Sequence, residues 1–130
     1  MIENNSLLSM AASASRHAAV RQTVIAQNIA NADTPGFVAQ DVVSFSQVVS
    51  GGTDGFDIRH TRAGHLAGSE GIEGRLLIDS SAQGATTPDG NSVSIEDQMV
   101  RAADARRQHD LALTLYRKSL DLIRIGLGRG

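Results

Sequence analysis

Asp57, His60 and His65 are the one grouping in the chain whose residue types suit a metal site. A divalent ion such as zinc binds imidazole nitrogen and carboxylate oxygen atoms that the fold holds in place. The two histidines are five residues apart, which places them neither on one turn of a helix nor on one face of a strand. A surface loop therefore explains this segment better than a metal site, and we expect no cofactor.

Motifs for nucleophilic or nucleotide-dependent catalysis are also missing from the sequence. It contains no Gly-x-Ser-x-Gly elbow, no phosphate-binding glycine-rich loop and no His-Glu-x-x-His zinc motif. Cysteine is absent, which excludes a thiol nucleophile, a thiolate metal site and a disulfide. The carboxylates Asp54 and Asp57 lie in Gly-rich sequence that offers no rigid element to fix their separation. The sequence therefore predicts a protein that is not an enzyme and has no small-molecule substrate.

The charge balance gives no reason to expect nucleic acid or a membrane surface as a partner. Lys and Arg number 12 against 14 Asp and Glu, a net charge of −2. The basic residues near the C-terminus surround their segment without aromatic residues between them, as on a solvated face. No apolar run approaches about 18 residues, and the N-terminus lacks a basic leader with an unbroken apolar stretch. We expect neither a transmembrane segment nor a cleaved signal peptide.

The N-terminal segment has the periodicity of an amphipathic helix. Apolar residues follow each other at spacings of three, four or seven, which predicts a helix over about residues 6–30. Most of this stripe is alanine, whose burial contributes little at about 0.8 kcal/mol per buried CH₂. The packing is therefore expected to depend on the large members of the stripe, Leu7, Ile25 and Ile29.

The C-terminal segment carries a longer heptad pattern, in which mostly apolar positions follow each other at alternating spacings of four and three. These positions are Ile95, Met99, Ala102, Arg106, His109, Leu113, Tyr116, Leu120, Ile123 and Leu127. Ser94 is the expected N-cap, with Asp97 three residues later, and the helix is expected to reach about Ile125. The central packing contacts are expected from Leu113, Tyr116, Leu120 and Ile123. Arg106 and His109 either set the register of this pattern or lie at its edge.

The middle of the chain is predicted to be irregular. Ten of the thirteen glycines and both prolines fall within residues 33–93, and the charged residues there sum to −5. Short strands are predicted at 36–38, 56–59 and 75–78, and residues 42–49 fit either a strand or a helix. The predicted fold is mainly α, with long N- and C-terminal helices forming a coiled-coil-like pair joined by an irregular middle with short β segments. Its three regions are 1–32, 33–93 and 94–130.

A turn motif closes the N-terminal helix. Pro35 disfavours helical geometry at the preceding residue and has no N–H to donate, while Gly36 accepts the positive φ that a type II turn requires. Phe37 then folds back toward the apolar face of the helix. The residues assigned to this motif are Asn28, Asn31, Thr34, Pro35, Gly36 and Phe37.

The same stretch carries a resemblance to a known family. The pattern Ala-x-Asn-x-Ala-Asn-x-x-Thr-Pro-Gly-aromatic resembles the end of the N-terminal helix in the axial proteins of the bacterial flagellum. The chain matches it at Ala26, Asn28, Ala30, Asn31, Thr34, Pro35, Gly36 and Phe37. Residues 37–42, 61–66 and 89–93 also resemble the proximal rod proteins of that family, and the chain is too short to hold the outer domain of hook proteins.

This resemblance implies a non-enzymatic building block of the proximal rod, which self-assembles by helix packing and helps to transmit torque from the motor ring to the hook. The implied partners are other rod subunits, FlgC-like proteins among them, a FliE-like adaptor, and the flagellar export gate. The implied location is the periplasm-spanning rod of the basal body, reached by export without a cleaved signal peptide. Before assembly, the two helices are expected to be partly disordered.

Two other classes of function stay open at this point. A soluble helical adaptor or export chaperone module would use the C-terminal heptad pattern but would have no need of the turn motif. A small metal-dependent hydrolase would use Asp57, His60 and His65, and it predicts stoichiometric metal in the purified protein.

Overall fold

Two long helices dominate the computed structural model, which describes residues 2–51, 78–79 and 84–128. Helix α1 covers Ile2–Ala30 and helix α3 covers Ile95–Gly126. Between them lie strand β1 (Asp41–Val42), helix α2 (Phe45–Gly51) and strand β2 (Ile78–Asp79). The prediction of a mainly helical fold with a long helix at each end is confirmed.

Helices α1 and α3 pack against each other as an antiparallel hairpin. Asn28, near the end of α1, contacts Gln98 near the start of α3. Arg21, two turns earlier in α1, contacts Asp104 and Gln108 further along α3. Residues later in α1 therefore contact residues earlier in α3, so the two helices run in opposite directions.

Small side chains fill most of the seam between the two helices, where buried positions recur every seven residues. The seam residues are Ala11, Ala18 and Ile25 in α1, and Gln98, Ala105, Ala112 and Ser119 in α3. The seam of α3 thus lies one residue before the predicted heptad positions, and Met99 and Arg106 are exposed. The alanines of α1 favour small partners, because the side chains at the contact set the distance between two helix axes.

Polar groups define both ends of α3. The Ser94 hydroxyl accepts a hydrogen bond from the Asp97 N–H at 3.4 Å, and the acidic residues of the first turn favour the positive end of the helix dipole. At the other end, the Leu127 N–H donates to the Ile123 carbonyl after the last helical residue, Gly126. The predicted N-cap is confirmed, and the helix ends one residue later than expected.

The short elements of the middle differ from the prediction in one place. The strand predicted at 36–38 does not form, because Gly36 and Phe37 take part in the turn that ends α1, and residues 37–40 have no regular secondary structure. Val42 pairs with Ile78 in a two-residue antiparallel ladder, and Phe45 begins α2, so residues 42–49 contain both a strand and a helix. The strand predicted at 56–59 lies outside the described residues, and so do residues 75–77 of the strand predicted at 75–78, whose last residue, Ile78, begins β2. No helix in the described part of the chain is long and apolar enough to cross a membrane.

Candidate functional site

The turn motif after α1 has the geometry that the sequence predicts. The Phe37 N–H donates to the Thr34 carbonyl at 3.2 Å, and Gly36 has a φ of +73°. With Pro35 at the first central position and glycine at the second, this is a type II turn. The turn ends α1 and directs the chain back toward the helix pair.

A second loop, residues 87–92, holds this turn in place. The Asn91 side chain is buried and donates to the Asn31 carbonyl at 2.9 Å and to the Thr34 carbonyl at 2.8 Å. The Gly36 N–H donates to the Asp89 carbonyl at 2.9 Å. Gly90 has a φ of +85° and lies against Gly36, where an added Cβ would come within 3.4 Å of the Gly36 Cα atom. The two loops therefore form one unit at the closed end of the hairpin.

After the turn, residues 39–43 run back along α1; we call this segment the strap. Asn28 binds Gln40 through two hydrogen bonds: its amide donates to the Gln40 carbonyl at 2.5 Å, and its oxygen accepts from the Gln40 N–H at 3.1 Å. His17 Nε2 donates to the Val43 carbonyl at 2.6 Å. The strap thus runs antiparallel to α1, and side chains of α1 bind it at both ends.

Other contacts fix the two ends of the strap. The Ala39 N–H donates to the Ser92 hydroxyl at 3.0 Å, which connects the strap to the loop before α3. The ring of His17 lies 5.6 Å from the ring of Phe45, centroid to centroid, at an interplanar angle of 59°. This tilted aromatic contact places the first turn of α2 against α1.

At the centre of the strap, Asp41 lies between arginines of both helices. Arg21 binds its carboxylate through two hydrogen bonds, Nε to Oδ1 at 3.0 Å and Nη2 to Oδ2 at 3.1 Å. Arg101 Nη1 donates to Asp41 Oδ2 at 2.7 Å, and Arg21 Nη1 also reaches Asp104 Oδ2 at 2.9 Å. Arg21, Asp41, Arg101 and Asp104 are called the Asp41 cluster below. One carboxylate of the strap therefore connects α1 to α3.

Burial and ion pairing act in opposite directions on the ionisable groups of the Asp41 cluster. Burial by itself would raise the pKa of Asp41, but the hydrogen bonds from Arg21, Val42 N–H and Arg101 outweigh it and hold that pKa below the ordinary carboxyl value. Burial opposes the charged form of Arg21 as well, yet its two aspartates raise the pKa of the guanidinium. The cluster is consequently charged across the physiological pH range.

The strap contacts were not predicted from the sequence, although a signal for them exists. His17, Arg21 and Asn28 are separated by four and seven residues, so they share one face of α1. This polar stripe lies beside the alanine stripe, and a polar stripe on a helix usually faces water. Asn28 was assigned to the turn motif, whereas its side chain binds the strap and Gln98.

The predicted packing residues fall into two groups. Ile25 is buried in the seam, while Leu7 and Ile29 are 39% and 38% exposed. The four central contacts predicted on α3 are half-buried: Leu113, Tyr116, Leu120 and Ile123. The seam buries small residues, so these larger side chains lie beside it.

The outer surface of the hairpin carries many large apolar side chains. Those most exposed on α3 include Val100, Leu111, Leu115, Leu122 and Ile125, and on α1 Met10. Exposed large apolar side chains on two packed helices are a feature of proteins that bind other proteins. In residues 2–51, 78–79 and 84–128, no three His, Asp or Glu side chains are placed to hold a metal ion. The predicted alternative of Asp57, His60 and His65 lies outside those ranges.

Comparison with known proteins identifies the family. A family model described as "Flagella basal body rod protein" matches residues 8–37, which contain α1 and the turn motif. The flagellar basal body rod protein FlgB of Agrobacterium fabrum is 34% identical over 75% of both chains. The FlgB protein of Escherichia coli is 30% identical over 74% of both chains. The FlgB protein of Aeromonas hydrophila is 36% identical over 60% of this chain and 59% of its own. The chain therefore belongs to the FlgB family of flagellar basal body rod proteins.

Proposed function

We propose that this chain is a structural subunit of the proximal rod, and that it assembles with its neighbours through the outer apolar faces of α1 and α3. The observation that carries the proposal is the distribution of side-chain size. Small residues occupy the seam within the subunit, and large apolar residues lie outside it. A subunit that gains its main apolar burial from neighbours has this distribution.

The large residues of α3 lie on both sides of its seam. One side, which we call the Tyr116 flank, lies one or four residues after the buried Ala112 or Ser119. It consists of Leu113, Tyr116, Leu120 and Ile123. The Leu115 flank consists of Leu111, Leu115 and Leu122, which are one residue before or three residues after the same positions. At 100° per residue these two sets are on opposite sides of the seam.

Two flanks give one subunit a contact surface toward each of two neighbours. Because the flanks differ in sequence, each binds a different surface of the next subunit, as in a head-to-tail contact that does not close on itself. Repetition of such a contact builds a helical tube, which is the geometry of a rod.

Torque transmission requires that the two helices of one subunit do not slide past each other under load. An alanine seam by itself resists sliding weakly, because small side chains interlock little. The strap adds hydrogen bonds and ion pairs that cross between the helices at Asn28, Asp41 and Arg101. We therefore assign the strap to the rigidity of the subunit and the outer flanks to assembly.

The family resemblance supplies the proposed partners and route. FlgC-like and other rod subunits would contact the outer flanks, a FliE-like adaptor would lie beneath them, and the export gate would pass the chain outward without signal cleavage. The turn motif, from Asn28 to Phe37, would join the inner helix to the outer loop.

Amide hydrogen exchange on the purified chain and on isolated basal bodies tests the assembly proposal. The open end of the hairpin, residues 6–18 and 111–127, should exchange fast in the purified chain and slowly in basal bodies. The strap should be protected in both samples, and it serves as the internal control for folding. Equal protection of residues 111–127 in the two samples would contradict the proposal and would favour a soluble helical adaptor or chaperone module.

A further inference from the structure

The seam between α1 and α3 does not by itself define how the helices align. Ala11 and Ala18 face a seam of α3 that is small at three successive heptad positions, Ala105, Ala112 and Ser119. A slide of seven residues again places these alanines against small side chains, while the larger seam residues Ile25 and Gln98 would change partners. Because each buried methyl contributes only about 0.8 kcal/mol, the aligned and slid packings of these alanines differ little in free energy.

The polar contacts behave differently under the same slide. Seven residues of helix correspond to about 10 Å along the axis. Because side chains of α1 hold the strap, Asp41 would move with α1. Arg21 would then leave Asp104, which it now reaches at 2.9 Å, and Asp41 would leave Arg101, which it now reaches at 2.7 Å. The Asp41 side chain is only 4% exposed, so the slide would leave a buried carboxylate without the second of its two arginines. A buried charge that loses part of its pairing in this way is unfavourable.

We propose that the Asp41 cluster selects the register of α1 against α3, and that this selection is its main contribution to the fold. Asp41 is suited to the task because it belongs to neither helix and binds an arginine of each. A buried polar group that fixes alignment within an apolar seam is known from coiled coils. The proposal concerns the folding of the single chain and does not depend on the role of that chain in the rod.

Register selection and stabilisation make different predictions. The desolvation of a buried ion pair offsets much of its attraction, so replacement of both partners by uncharged residues often leaves stability unchanged. If the cluster selects register, its neutral replacement should leave the helices folded but no longer aligned in one way. If it only stabilises, the replacement should lower stability and keep one alignment.

The experiment measures the distance between two spin labels by pulsed electron resonance. The chain has no cysteine, so cysteines introduced at the exposed positions Ala19 and Thr114 place one label on each helix. The unsubstituted cluster should give a single narrow distance. The double variant Arg21→Met, Asp41→Asn should add a second distance, because a slide of one heptad shifts the labels by about 10 Å along the axis.

Two matched variants complete the test. Arg107→Met removes an ion pair to the same Asp104, but this pair is exposed and lies within α3, so one distance should remain. Asp41→Asn alone keeps the acceptor for the Val42 N–H and removes the charge, and it should give a smaller share of the second distance. The urea midpoint of the double variant should stay close to that of the parent.

Two results would overturn the proposal. One is a single distance in a double variant that remains folded. The other is a double variant that does not fold while Asp41→Asn keeps a single distance, since the cluster would then act on stability alone.

Discussion

The carboxamide of Asn28 binds both backbone polar groups of Gln40, the carbonyl at 2.5 Å and the N–H at 3.1 Å. A neighbouring β-strand offers one donor and one acceptor to a residue in the same way. The second amide hydrogen of Asn28 reaches Gln98 Oε1 at 2.9 Å, in the first turn of α3. One buried side chain therefore joins α1, the strap and α3.

Substitution of Asn28 should be costly for stability. Asn28→Ala leaves the Gln40 backbone and the Gln98 side chain without their partner, and we expect the free energy of unfolding to fall by about 2–4 kcal/mol. Urea denaturation followed by circular dichroism measures this loss. Asn31→Ala is the control, because that side chain makes only exposed local hydrogen bonds, to the Gln27 carbonyl and from the Thr34 hydroxyl. It should cost about 0.5 kcal/mol. Equal losses in the two variants would contradict the role of Asn28.

Alanine at Gly36 should destabilise the turn through backbone conformation alone. An added Cβ would meet no atom within 4 Å, yet the φ of +73° is unfavourable for any residue with a side chain. We expect Gly36→Ala to lower the free energy of unfolding by about 1–2 kcal/mol. Gly126→Ala, at the last helical residue with equal space, should be neutral or slightly stabilising. A neutral Gly36→Ala would mean that the type II turn is not maintained in solution.

Acid should weaken the fold through Asp41. Its pKa in the folded chain is below the ordinary carboxyl value, so its contribution is complete above the unfolded pKa near 4 and is lost as the pH falls through the lower folded pKa. In urea titrations from pH 6 downward, the free energy of unfolding should therefore fall less steeply with pH in Asp41→Asn than in the parent. Asp121→Asn removes an exposed ion pair with Arg124 and should leave this pH dependence unchanged. An equally steep loss of unfolding free energy in Asp41→Asn and in the parent would mean that other carboxylates cause the acid sensitivity.

The Leu115 flank should affect assembly without affecting the fold. Leu115 and Leu122 are 44% and 52% exposed in the single chain, so their replacement by serine should change the free energy of unfolding by no more than about 0.5 kcal/mol each. In cells, the double variant should lose swimming and assembled rods. Lys118→Ser, also exposed on α3, is the matched control and should swim normally. Normal motility of the double leucine variant would remove this flank from the assembly surface.

The helices and the turn could be predicted because their signals are local. The heptad spacing of 95–127, Ser94 before the first helical residue, and glycine after proline at 36 each act within a few residues. Such signals depend little on the rest of the chain. The end of α1, the start of α3 and the type II geometry of the turn therefore follow from the sequence directly, whereas α1 begins at Ile2 and not at about residue 6 as predicted.

The strap and the true seam could not be predicted, because both depend on a partner distant in sequence. Asp41 is 20 residues from Arg21 and 60 from Arg101, and nothing near Asp41 indicates either contact. The heptad pattern marks the large residues of α3, but α1 offers mostly alanine, and small residues pack best against small ones. The observed seam therefore lies one residue before the predicted one, at Gln98 and Ala105 and not at Met99 and Arg106.

The placement of large side chains outside an alanine seam also bears on how the purified protein will behave. Self-association buries a different surface from folding, since many of the bulky apolar side chains in the described part of the chain are exposed to water. Folding thus removes little of the tendency to aggregate. We therefore expect protein concentration, more than temperature or denaturant, to set how long a solution of free subunits stays clear.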